Sequence, residues 1–170
     1  MTQTKRELTR YKIRIGKFDQ KLGPICLTTQ KGRLCPFSGE KCGGYNCGII
    51  IDAINSKQKR VIFEKGTEFF QGIKFKVKND AMRGRVEKYV VLAKIPRGRG
   101  LFKESVLDKL KTKTIQLIKE HNLAPSKDQF DQLREEFEDS LKQKLNTTDV
   151  ADEMHFLREK LNVIAMLLQL

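Results

Sequence analysis

Histidine is scarce in this chain of 170 residues: there are two, His121 and His155, and both fall in segments that read as helices. No Ser/His/Asp or Cys/His arrangement can be assembled from them, so the chain is read as non-enzymatic. His155 shares a helix face with Asp152 and Glu159, a grouping more typical of solvated helix pairing than of a metal cluster. Long apolar runs are missing too, with none approaching the roughly 18–20 residues that span a bilayer. Met1 to Arg10 is too polar for a secretory signal, so a cytoplasmic protein is expected. There, cysteines are reduced or metal-bound rather than disulfide-paired. The segment Arg97-Gly98-Arg99-Gly100 is basic and glycine-rich, but no Gly-Lys-Ser/Thr follows to complete a phosphate loop.

Acidic residues are also sparse, but only in one part of the chain. Residues 1–100 hold 23 Lys+Arg against 8 Asp+Glu, whereas residues 101–170 hold 11 against 13. The net charge of +13 is therefore concentrated in the first part. That asymmetry points to an anionic partner: nucleic acid, a ribosome, an anionic membrane or an acidic protein surface. The division also suggests the organisation, with a basic sheet domain over residues 1–98 and a region of three helices over residues 99–170.

The sheet begins at a hairpin over Tyr11 to Thr28. Tyr11, Ile13 and Ile15 alternate with Lys12, Arg14 and Gly16, the period of a half-buried strand. Gly23-Pro24 sets the turn into a short strand, Ile25 to Thr28. Ile50, Ala53 and Ile54 lie at helical spacing, so a short helix starting near Tyr45 or Asn46 is expected, with a buried strand as the alternative. Val61 to Phe63 reads as a short strand. Ile73, Phe75 and Val77 alternate with Lys74, Lys76 and Lys78 in the next one. Val86 to Ile95 carries apolar residues on both faces and is expected at the centre of the sheet.

Two candidate sites follow. Lys12, Arg14, Lys74, Lys76 and Lys78, with Arg83, Arg85, Arg97 and Arg99, are candidates for an anion- or nucleic-acid-binding face. Alternating lysines also solvate an outer face and protect a sheet edge, and that alternative stays open. Cys26, Cys35, Cys42 and Cys47 bound a glycine-rich stretch over residues 26–47 and are candidate ligands of a tetrahedral zinc, or less readily of an iron–sulfur cluster. A metal would supply order that such a loop cannot obtain from packing. Clustered thiols without metal are the alternative.

Leu107, Leu110, Thr114, Leu117 and His121 form the stripe of a first long helix. Ser126 and Gln129 make a capping-box pattern for a second, carrying Phe130, Leu133, Phe137, Leu141 and Leu145. Val150, Met154, Leu157, Leu161, Ile164 and Leu168 follow at alternating steps of four and three, the seam of a coiled coil. They are candidates for an interaction surface, within a C-terminal helical hairpin or between copies of the chain.

Phe18-Asp19 followed by Lys21-Leu22-Gly23-Pro24 resembles the opening of longin-like domains of the roadblock/longin superfamily, in which an acidic turn with Leu-Gly-Pro follows the first strand. Ile73 to Val77, then Met82-Arg83-Gly84 and Val86 to Leu92, resembles the later strand–Arg-Gly–strand segment of archaeal members. The resemblance covers about residues 10–121. It implies an α+β fold of about five antiparallel strands, with a helix on one face and helices on the other. It also implies a non-catalytic platform for a small GTPase or a trafficking-type adaptor subunit. The cysteine-rich loop, standing where the first helix should begin, and the C-terminal helices depart from that pattern. A basic nucleic-acid- or ribosome-binding protein with a four-cysteine zinc site is the alternative.

Overall fold

A computed structural model describes residues 12–28, 32–35, 37–66, 68–80, 85–95, 101–144, 161 and 164–168. Five strands form one antiparallel sheet: β1 (Lys12–Asp19), β2 (Gly23–Cys26), β3 (Arg60–Lys65), β4 (Glu68–Asn79) and β5 (Arg85–Ile95). Their order is β2-β1-β5-β4-β3. A short helix α1 (Gly48–Asn55) covers one face, and α2 (Glu104–Glu120) and α3 (Lys127–Lys144) pack on the other. This α+β arrangement is the one expected from the sequence.

The alternation of each strand decides which core it joins. Ile13, Ile15, Ile73, Phe75, Tyr89 and Val91 face α2 and α3. Val61, Phe70, Val90 and Leu92 face α1, where they meet Ile49, Ile50 and Ala53. Strand β5 is central, and Val90 through Leu92 are fully buried, so both faces of one strand feed the two cores. Burying both faces removes several large side chains from water, each contributing about 1.5–3 kcal/mol.

Two mid-strand glycines set where α1 lies. A Cβ on Gly16 would stand 2.6 Å from Ile50 Cδ1, and one on Gly72 would stand 2.3 Å from the Val91 carbonyl oxygen. Side chains at these positions would hold the helix off and part the strands.

Several boundaries move from their expected places. Strand β2 starts at Gly23, with Pro24 opposite Phe18, because an edge strand tolerates a residue lacking an N–H. Helix α1 starts at Gly48 rather than near Tyr45, since Asn46 takes a left-handed φ of 52° and Cys47 is extended. Strand β3 is longer than the three residues expected. On α2 the buried stripe ends at Ile118 rather than at Leu117 and His121, following the true 3.6-residue period. The capping box forms as expected: Gln129 N–H donates to Ser126 Oγ at 3.3 Å and Ser126 N–H to Gln129 Oε1 at 2.7 Å.

Asp19 closes the β1–β2 turn by accepting the Lys21 and Leu22 N–H groups at 2.8 and 2.9 Å. Those bonds hold its carboxyl below the usual carboxylate range. Among the described residues no helix is long and apolar enough to cross a membrane. Leu161, Ile164 and Leu168 are helical and exposed, as are Met166 and Leu167. Val150, Met154 and Leu157 lie outside the described residues, as does Leu145.

Candidate functional site

Both candidate sites adjoin the α1 face of the sheet, one at each end, and the second runs round the edge of β4 to the α2 side. Register puts Lys12 and Arg14 of β1 on this face, with Lys94 of β5 opposite Lys12. It also puts Lys74, Lys76 and Lys78 of β4 there, with Lys88 directly opposite Lys76. Of the basic residues named from the sequence, the five on β1 and β4 therefore share this face, but α1 lies across its middle and splits them into two groups. Arg85, at the far end of β5, donates to Gln20 at 2.9 Å. Arg83, Arg97 and Arg99 lie outside the described residues.

At one end the cysteine-rich loop folds back over the sheet. Leu34 and Lys41 form a bridge, and Cys42 N–H donates to the Arg33 carbonyl at 2.8 Å, making a small hairpin. Phe37 in its tip is 3% exposed and sits 5.1 Å from the Phe70 ring. The aromatic side chain pins the hairpin to the α1 core. Cys26 on β2, Cys35 and Cys42 on the hairpin and Cys47 before α1 all line one cavity of about 1150 Å³ with Arg14. Cys47 N–H donates to the Pro24 carbonyl at 3.2 Å, which ties the start of α1 to β2. None of the four forms a disulfide. As placed, no three His, Cys, Asp or Glu side chains among the described residues gather closely enough to hold one ion.

Arg14 is not the solvent-facing cation that its alternation suggests. It is 6% exposed, with its guanidinium carbon 5.6 Å from the Phe37 ring centre. One guanidinium nitrogen donates to the Ile13 carbonyl at 2.7 Å and lies 3.7 Å from Glu138 of α3. Burial, and the neighbouring Arg134 charge, pull its pKa down from the ordinary arginine value. Glu138 also accepts the Ile13 N–H at 3.0 Å and an Arg134 N–H at 3.2 Å, so it joins β1 to α3. Burial pushes the Cys47 thiol up, against two helix N–H groups that favour the thiolate.

The other end is open. A cavity of about 670 Å³ is ringed by Lys57, Lys59, Lys74, Lys76, Lys88 and Lys111. Ile54 on the α1 side and Phe75, Tyr89 and Ile115 on the α2 side supply its apolar walls, and no carboxylate appears in its described lining. Lys74 Nζ caps the end of α1 by donating to the Ile54 and Ser56 carbonyls. Burial, then Lys88 and Lys76, lower its pKa from the usual lysine value. Lys76 and Lys88 are exposed, and like charges directly opposite in a sheet repel. Beside the cavity, β3 stops pairing at Arg60–Ile73, and the Lys74 N–H donates to the Lys59 carbonyl at 2.8 Å. Beyond that bond, Phe75 to Asn79 pair with β5 alone among the described strands.

The sequence reading missed Lys57, Lys59, Lys88 and Lys111 in this cavity, and Lys94 and Phe37 at the other end. Lys88 was within reach, since pairing Val86–Ile95 against Phe69–Lys78 sets it opposite a lysine. Lys111 was not, because only the packing of α2 brings it there. Comparison with protein-family models, with curated proteins and with solved structures gave no match.

Proposed function

We propose that the chain is a non-catalytic protein-interaction adaptor of the longin-like type, which docks an acidic segment of a partner protein at the open, lysine-ringed end of its sheet. The observation that carries this reading is the cavity of six lysines between apolar walls at the edge of β4, with no carboxylate in its described lining. An extended segment with alternating acidic and apolar residues would satisfy both parts, and the edge of β4 beyond Ile73 offers it a strand to pair with. A small GTPase or a subunit of a trafficking-type assembly is the class of partner the resemblance implies. Five antiparallel strands with one helix on one face and two on the other agree with the fold the resemblance implies, and carry no partner by themselves.

The basic excess of residues 1–100 favours a second reading, a polyanion of the nucleic-acid type. Fluorescence anisotropy separates the two. A peptide of alternating glutamate and leucine and a single-stranded RNA of equal charge are titrated with the full chain from about 50 to about 200 mM salt. The adaptor reading expects the peptide to bind the more tightly at the higher salt, through its apolar contacts. Tighter RNA binding, with a steep salt dependence, would replace it with the nucleic-acid reading.

A further inference from the structure

The closed end of the sheet face has no role in the docking just described, yet it brings together residues that are far apart in sequence. The Cys47–Pro24 backbone bond ties the start of α1, with Cys47, to the edge strand that carries Cys26. Cys35 and Cys42 flank the bridged pair Leu34–Lys41 of the hairpin. Phe37 fixes that hairpin over the sheet by entering the core. Three separate pieces of backbone thus present four thiols to one cavity.

A second observation points to a missing partner in the same cavity. The Arg14 side chain is nine-tenths buried and lines the cavity with the four cysteines, and its Nε has no hydrogen-bond acceptor among the described residues. An unpaired N–H on a buried cation is costly. Glu138 is shared between Arg14 and Arg134, so it supplies less than one full negative charge to Arg14. Two carboxylates also line the cavity, but Glu68 pairs with Lys94 at 3.2 Å and Glu40 is exposed, and neither is an acceptor for the Arg14 Nε.

We infer that Cys26, Cys35, Cys42 and Cys47 form a tetrahedral tetrathiolate zinc site, with the Arg14 guanidinium as its buried counter-cation. Four thiolates on Zn2+ leave a net charge of about −2, and their sulfurs accept N–H groups from the surroundings. That centre answers both the charge and the orphan Nε of Arg14. Soft thiolate donors without histidine or carboxylate select zinc over the harder divalent ions. The thiols as placed do not yet close on one point. A hop between staggered rotamers swings a cysteine sulfur by about 3 Å, and Cys35, Cys42 and Cys47 are only half-buried, so they have room to turn. The metal would fix a glycine-rich loop that otherwise rests on Phe37 and a few backbone bonds.

The test is metal analysis of the full-length chain, purified under reducing conditions without added chelator. About one equivalent of zinc is expected. Reconstitution with cobalt should give the visible bands and sulfur-to-metal charge transfer of a tetrahedral thiolate site. Cys35→Ser and Cys42→Ser, both on the half-exposed hairpin, should lose the cobalt spectrum while keeping the far-ultraviolet circular dichroism of the sheet. Arg14→Gln should weaken zinc retention against a competing chelator by about 10–100-fold, as loss of an outer-shell partner does. A folded chain that carries no zinc and gives no tetrahedral cobalt spectrum overturns the proposal. So does iron with acid-labile sulfide in place of zinc.

Discussion

The two ends of the α1 face hold the same kind of residue and use it in opposite ways. At the closed end, Arg14 is covered by the cysteine hairpin, stacked against Phe37 and paired with Glu138. At the open end, Lys76 and Lys88 face each other across β4 and β5 and are exposed to solvent. Positive charge at the first end is a fixed part of the packing, and its removal should be felt in folding. Lys76 and Lys88 at the second end have no ion pair among the described residues, and removal of their charge should be felt in binding. The basic residues of β1 and β4 are thus two groups divided by a helix.

The largest expected effect lies at the closed end. Phe37→Ala should cost about 3–4 kcal/mol in chemical denaturation, because it leaves a void between Phe70 and Arg14. A loss under about 1 kcal/mol would mean the hairpin does not rest on that side chain. Glu138→Gln comes next. It keeps the side-chain shape but removes the charge facing Arg14, and a loss of about 2 kcal/mol is expected, below the full cost of breaking a buried pair because the two charges stand 3.7 Å apart. Adding salt should restore little of it, since the Arg14 side chain is out of solvent.

At the open end the effects on folding shrink. Asp19→Ala removes the two turn bonds and should cost under about 1 kcal/mol at neutral pH, given how exposed they are. The folded pKa of Asp19 is depressed, so its contribution is present above the unfolded carboxylate value of about 3.9 and is lost as pH falls through the folded value. The gap between wild type and variant should therefore close in acid. Lys76→Glu combined with Lys88→Glu should change stability by no more than about 0.5 kcal/mol. The same double variant should weaken binding of the acidic peptide by at least about tenfold, which is the effect that distinguishes this end from the other.

Much of this arrangement was legible in the sequence, and the failures share a cause. Strand alternation over Lys12–Asp19, Glu68–Asn79 and Arg85–Ile95 is local, and a period of two survives any tertiary context. The capping box at Ser126 and Gln129 is equally local. Arg14 was misplaced because alternation assigns a residue to a face but cannot say what covers that face. The cover is a hairpin whose own residues, Leu34 to Lys41, have no periodicity to read. The splitting of the lysine row had a signal that went unused. Gly16 and Gly72 interrupt their strands on one face, and a mid-strand glycine often marks a close approach. The shared cavity of the four cysteines follows from the return of the chain after β2, which spacing alone does not give.

The most direct test of the contrast is a backbone amide NMR titration of the full chain with the glutamate–leucine peptide. Shifts are expected to be confined to Lys74–Lys78, Lys88 and the Lys57–Lys59 connection, with the amides of Lys12, Arg14 and Lys94 unmoved. Shifts centred on Arg14 and the cysteine hairpin, or spread evenly over the lysines of the surface, would contradict it.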